Sequence, residues 1–240
     1  MTHSSVSTPR FGVRFGAKSR CESRRDTTRR GEHDFMTVRG LVFGGLVAAS
    51  LWQGWSEWQL RAVHPGDGIL APDDPLQTAL EGASSEETSR IPYGHWTLTP
   101  RANYDITARI LSREDYHFDN LAALIPEDLA LGWGAMSDNQ VLKSFKITQG
   151  GRFYFWMPIA PLPIPREDVI EHSANTHVIP ADAVVRRQLA RLRVGQVVHL
   201  TGLLVDGARD DGWKVRTSLT RKDTGAGACE IMFVESVEVL

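Results

Sequence analysis

The chain has 240 residues, 42% of them hydrophobic and 23% charged, with 27 Lys and Arg against 29 Asp and Glu for a formal net charge of −2. That balance excludes the basic footprint of a nucleic-acid binder, and a total of two cysteines, Cys21 and Cys229, excludes a disulfide framework. Once a polar N-terminal region is set aside, about 140 to 180 residues remain, enough for one folded domain with its own core.

Residues 1–35 are rich in Arg, Ser and Thr and poor in apolar side chains. Such a stretch cannot bury enough surface to offset its ordering entropy, so disorder is expected. The pairs Arg24-Arg25 and Arg29-Arg30 invite a twin-arginine export signal, but Glu32 and Asp34 separate them from the apolar run. Met36 stands directly before that run, which points to it as the true start.

The run over 41–52 is too short to span a hydrocarbon core of roughly 30 Å. Extending it to 36–58 gives about 34 Å of helix at 1.5 Å per residue. Arg39 then snorkels at one end, and Trp52, Trp55 and Trp58 sit in the opposite headgroup layer. Small residues for cleavage follow too few apolar ones, so an uncleaved anchor is expected rather than a signal peptide. Arg24, Arg25, Arg29, Arg30 and Arg39 crowd the N-terminal flank. The positive-inside rule therefore places the N-terminus in the cytoplasm and the rest outside, as a single-pass protein of a bacterial inner membrane with a periplasmic or extracellular domain.

Residues 59–102 carry Pro65, Pro72, Pro75, Pro92 and Pro100 with a Ser/Glu run, and read as an extended spacer, with Ile69, Leu70, Leu76 and Leu80 as docking candidates. The folded domain is expected over 103–240. Tyr104, Ile106, Ala108 and Ile110 alternate with polar residues as in a half-buried strand. An apolar, Gly-bounded stretch over 128–134 leads into a turn or cap at Asp138, and two strands over 141–147 and 152–157 flank a hairpin turn at Gln149-Gly150-Gly151. Prolines at 158, 161, 163 and 165 force an extended link. An amphipathic helix follows over 183–193, with Val184, Val185, Leu189 and Leu192 on one face. Strands over 197–205, 213–219 and 230–239 complete the pattern. The fold class is mainly β with one amphipathic helix (α+β): a small curled sheet or partly open OB-like barrel, preceded by the anchor helix.

Three polar clusters exceed what packing requires. His172 and His177, with Asn175 between them, are proton carriers or metal ligands by type, yet their spacing matches no zinc pattern; the alternative is a pair that satisfies backbone groups at the start of an irregular segment. Ser218, Arg221 and Asp223 lie in a Gly-rich stretch that reads either as an anion-binding nest or as a turn bonding its own backbone. Trp133, flanked by glycine and followed by Asp138, reads as a binding face or as a core anchor. Cys229 reads as a small buried apolar side chain or, beside a histidine, as a nucleophile.

The stretches 128–138 (DLALGWGAMSD), 172–181 (HSANTHVIPA) and 218–230 (SLTRKDTGAGACE) resemble the marked blocks of an uncharacterised group of bacterial membrane-anchored proteins, and 65–77 is similar to that group's post-anchor segment. The resemblance covers 36–240. It implies membrane anchorage and one shared site, but no chemistry. The expected function is a membrane-anchored ligand- or partner-binding domain using His172, Asn175, His177, Ser218, Arg221, Asp223, Trp133 and Asp138, with no cofactor and no resident metal. Its partners are membrane lipid through the anchor and an envelope protein or small anionic ligand, not nucleic acid. The alternatives are an envelope hydrolase using Cys229 with a histidine, or a metal held by His172 and His177, and a structural part of an envelope assembly.

Overall fold

The computed structural model describes residues 40–51, 61–80, 90–222, 225 and 227–240, which fall in two compact units divided after Trp52. The first contains a helix over 40–51 whose side chains Leu41, Val42, Phe43, Leu46 and Leu51 are exposed. No helix among the described residues is long and apolar enough to cross a membrane. The expected disorder of residues 1–35, and both ends of the expected anchor over 36–58, lie outside the described residues.

The second unit is mainly β. Its spine is β3 (Trp96–Asp115), following the short β1 (Leu76–Thr78) and β2 (Ile91–Tyr93). Twenty residues are enough for β3 to serve two neighbours in succession. Its first part pairs antiparallel with β8 (Val197–Arg209), from Trp96 opposite Arg209 to Arg109 opposite Val197. Its last part pairs with β4 (Glu127–Gly132). β4 then pairs antiparallel with β7 (Ser173–Pro180), β7 parallel with β10 (Glu230–Val239), and β10 antiparallel with β8. The pairings thus form a ring of hydrogen bonds that starts and ends on β3, in one mixed sheet with β1, β2 and β9 (Lys214–Val215) added at its margins. Irregularities at Pro100/Ala102 and Ile110/Ser112 bend β3, as bulges do.

Alternation sorts side chains onto two faces. Tyr104, Ile106, Ala108, Leu129, Leu131, Val178, Leu200, Met232 and Val234 form the main core. It is closed by Val185 and Leu189 of a helix spanning Ala183–Leu189, which joins β7 to β8, and by Leu192 beyond it. Asp182 caps that helix by accepting from the amides of Val184 and Val185. Ile179, Ile231 and Phe233 project to the opposite face with Leu124 and Ile125. A separate hairpin of β5 (Phe145–Gly150) and β6 (Phe153–Pro158) packs there through Tyr154 and Trp156, with Val169 of the helix Arg166–Glu171.

Several expectations need correction. Ordered strands begin before Asn103: β1, β2 and the first residues of β3 fall in the stretch read as a spacer, because pairing with β3 and β8 satisfies backbone that local propensity leaves open. The hairpin turn is Gly151-Arg152, with φ of 58° and 67°, rather than one centred on Gly150. Val141 and Leu142 lie in a short helix, Asn139–Leu142, instead of a strand. The strand expected over 213–219 shrinks to two residues, the helix ends at Leu189, Val184 is exposed, and His177 lies within a strand rather than an irregular segment.

A Gly/Pro-rich strap over 65–74 is held by the block that follows β4. Ser137 Oγ accepts from the amides of Leu70 at 3.0 Å and Ala71 at 3.1 Å and donates to Gly134 O at 2.7 Å. Gly134 N donates to Ala71 O at 2.7 Å, and Trp133 Nε1 to Asp74 Oδ1 at 3.0 Å. Asp138 caps the next helix and accepts from Gly68 N. Asn139 Nδ2 reaches the carbonyls of Pro65 and Gly66. Replacing Ser137 by Ala strands two strap amides, so S137A should lose about 2 kcal/mol of stability. In urea unfolding the midpoint drops; an unchanged midpoint would show that the strap does not depend on this hydroxyl.

Candidate functional site

The parity that sends Leu129 and Leu131 into the core sends Asp128 to the other face, where it directly faces His177 across the β4/β7 ladder. On β7, Ser173, Asn175 and His177 share that face by the same alternation. In the parallel β7/β10 pair, Glu230 is in register with Thr176, so Cys229, one residue earlier, is delivered beside Asn175. The register therefore brings together a thiol, an imidazole and a carboxylate from three strands or their ends.

Asp128 is fully buried and its Oδ1 lies 2.7 Å from His177 Nδ1. Cys229 acts on the same imidazole and, like Asp128, favours its charged form. Burial alone would strip the imidazole of its charge, yet Asp128 and Cys229 outweigh it and raise the His177 pKa to about 9. Asn175 Nδ2 stands 3.6 Å from Cys229 Sγ, a sulfur contact, and also donates to Arg152 O, while its Oδ1 accepts from Gln149 Nε2 at 2.7 Å.

The hairpin secures this arrangement from above. Arg152, in its turn, reaches Asp128 Oδ1 at 3.4 Å, makes a paired contact with Asp119 at 2.8 and 2.9 Å, donates to Ile125 O and lies over the Tyr116 ring. The Tyr116 hydroxyl accepts from Arg152 N at 3.0 Å, and burial together with the nearby Asp128 carboxylate raises its pKa and keeps the phenol protonated. Tyr154 Oη donates to Ser173 Oγ.

Cys229 and Asn175 line a cleft of about 310 Å³ walled by Phe153, Phe155, Trp156 and Ile170. His177 is outside the cleft wall, with 13% of its side chain exposed. A larger cavity of about 770 Å³ lies elsewhere, along Arg113, Glu127 and Arg186. Burial raises the Glu127 pKa to about 8, with Arg113 opposing that shift at 3.1 Å; this cavity has no cysteine in its wall.

The residues expected to form one site divide between two. Asn175 and His177 join Cys229. Ser218 and Arg221 support the loop that delivers the cysteine: Ser218 N donates to Cys229 O, and Arg221, which also lines the same cleft as Cys229, donates to Pro75 O. Asp223 lies outside the described residues. His172, Trp133 and Asp138 belong to the strap: His172 Nδ1 is 2.8 Å from Asp168 O, and its ring lies so close to Gly134 that a Cβ there would come within 2.7 Å of it. The two histidines thus have different partners, and among the described residues no group of three His, Cys, Asp or Glu could hold a metal ion. Sequence reasoning missed Asp128, Tyr116, Gln149 and Arg152. The available signal was a carboxylate at the head of the apolar strand Asp-Leu-Ala-Leu, which has to find a cationic partner once the strand is buried.

His177 should titrate near pH 9 by NMR, and Asp128→Asn should bring it down toward the ordinary value of about 6.5. Because its folded pKa is raised, its contribution to stability is complete below about pH 6.5 and is lost as pH rises through about 9. At neutral pH, D128N should cost about 3 kcal/mol, because the charged form of His177 loses the carboxylate that stabilises it. A His177 midpoint at or below 6.5 in the wild type would contradict this coupling. No family model, no curated protein and no solved structure matches the chain.

Proposed function

We propose that the chain is a membrane-anchored enzyme that transfers acyl groups through Cys229, and that its β unit is an OB-like barrel. The observation that carries this is a cysteine in the wall of a cleft, delivered by strand register beside an imidazole that a buried carboxylate holds on one nitrogen and whose charged form the cysteine favours. Asp128 orients the ring and stabilises its charged form. His177, already an imidazolium at neutral pH, stabilises the Cys229 sulfur as a thiolate once the thiol proton has passed to solvent, and that sulfur attacks the carbonyl carbon of an ester or thioester. As the new C–S bond forms, the bond to the leaving group breaks, and the imidazolium proton passes to that group. Water then attacks the acyl-enzyme, giving its proton back to His177, and the sulfur leaves. The Asn175 amide, 3.6 Å from the sulfur, is the side-chain donor in place for the developing oxyanion.

The strand order β3-β4-β7-β10-β8, closing on β3 with β7 and β10 parallel and a helix between β7 and β8, supports the OB-like assignment. The exposed apolar helix over 40–51 and the basic N-terminal flank support anchorage in a bacterial inner membrane with the enzyme outside the cytoplasm. The ligand-binding role expected from the sequence narrows to the cleft beside Cys229 and Asn175.

Cys229→Ala in the full chain should lower p-nitrophenyl acetate hydrolysis by about a thousandfold or more, with an unchanged circular-dichroism spectrum. A well-folded C229A protein hydrolysing the ester at the wild-type rate would overturn the assignment.

A further inference from the structure

The cleft that receives the carbonyl carbon also describes what is attached to it. Its wall carries Phe153, Tyr154, Phe155, Trp156, Ile170 and Ala228. The charged groups that line it are Arg221, which donates to Pro75 O, and Glu230, which is buried. Ser173, Asn175 and Thr220 also line the cleft, and the apolar surface against which a hydrocarbon tail can be buried is that of the four consecutive aromatics over 153–156. At about 30 Å³ per small heavy-atom group, 310 Å³ holds about ten such groups.

The apolar surface continues past the rim. Phe153, Phe155 and Met157 alternate along β6 at 43%, 54% and 53% exposure, and Ile159 and Leu162 extend the strip. A contiguous exposed strip of this kind beside a reactive thiol marks a surface that meets apolar ligand. Its inward partners Tyr154 and Trp156 pack against the third core cluster, so the outward-facing residues are not needed to hold the hairpin together.

From the thiol, the aromatic wall and the strip together, we infer that the substrate is an ester or thioester of an aliphatic acyl chain of about eight carbons, whose tail lies along Phe153, Phe155 and Trp156 with its carbonyl at Cys229. This rests on the acyl-transfer reading above. Acylation forms the Cys229–acyl thioester and releases the alcohol or thiol; hydrolysis releases the fatty acid and restores the thiol.

The test compares p-nitrophenyl acetate with p-nitrophenyl octanoate on the full chain, with C229A and Phe155→Asp variants. Octanoate should exceed acetate in kcat/KM by about 30-fold or more, which is about 2 kcal/mol at 1.4 kcal/mol per tenfold. F155D, at an exposed position, should narrow the octanoate-to-acetate ratio by about tenfold. S-octanoyl-N-acetylcysteamine and dioctanoylphosphatidylglycerol then separate the acyl sources: turnover of the first supports a soluble thioester, turnover of the second a lipid ester, and turnover of neither overturns the inference. Equal rates on acetate and octanoate that both vanish in C229A would remove the acyl-chain inference and leave the thiol mechanism standing. A steep preference for octanoate that F155D leaves unchanged would also remove it, as would a higher kcat/KM on an aromatic peptide ester. Wild-type rates in C229A would remove both.

Discussion

A carboxylate without solvent exposure is tolerated in a sheet only when a cation and donors are fixed beside it, and Asp128 is in that position. Its partners come from across the unit: His177 from the neighbouring strand and Arg152 from the hairpin turn, the latter held by Tyr116 from beyond the end of β3. Each is brought there by pairing or packing that serves the fold in its own right. The imidazolium that neutralises Asp128 is thereby placed against the one cysteine among the described residues, so the solution to a burial problem also creates a reactive group. The hairpin closes the site from above while leaving its own outward face apolar and open.

The blocks that stand out in the sequence meet in pairs. Residues 65–77 fit against 128–138, where Ser137, Gly134 and Trp133 consume the polar groups of a strap that has almost no regular structure. Residues 172–181 meet 218–230 through the parallel β7/β10 ladder and the Ser218 amide bonded to the Cys229 carbonyl. His172 and His177 belong to the same block but serve different pairs. The first completes the strap region and the second completes the thiol site, which is why five residues of separation matched no metal pattern.

Much of the fold was legible from period alone. Tyr104, Ile106, Ala108 and Ile110 do line the main core, and β10 spans 230–239 as expected. The early strands were not legible, because Pro92 and Pro100 suppress the local signal and the pairing that stabilises them is with distant chain. The hairpin register turned on which residues adopt positive φ, and adjacent glycines at 150 and 151 left that open until Arg152 was seen in the left-handed region. In the site, residue types pointed to Cys229 and His177, but Asp128 lies 49 positions from its histidine and only the ladder register brings the two together. Trp133 and Asp138 were conspicuous for a structural reason: they secure a segment that could not hold itself.

The central claim is that the Cys229 sulfur carries the acyl group. Incubating the full chain with p-nitrophenyl octanoate, quenching in acid and mapping peptides by mass spectrometry tests it directly. The predicted result is an octanoyl adduct on the peptide containing Cys229, formed and then lost as substrate is exhausted. Continued hydrolysis with no adduct on Cys229, or with the acyl group on another residue, would contradict it.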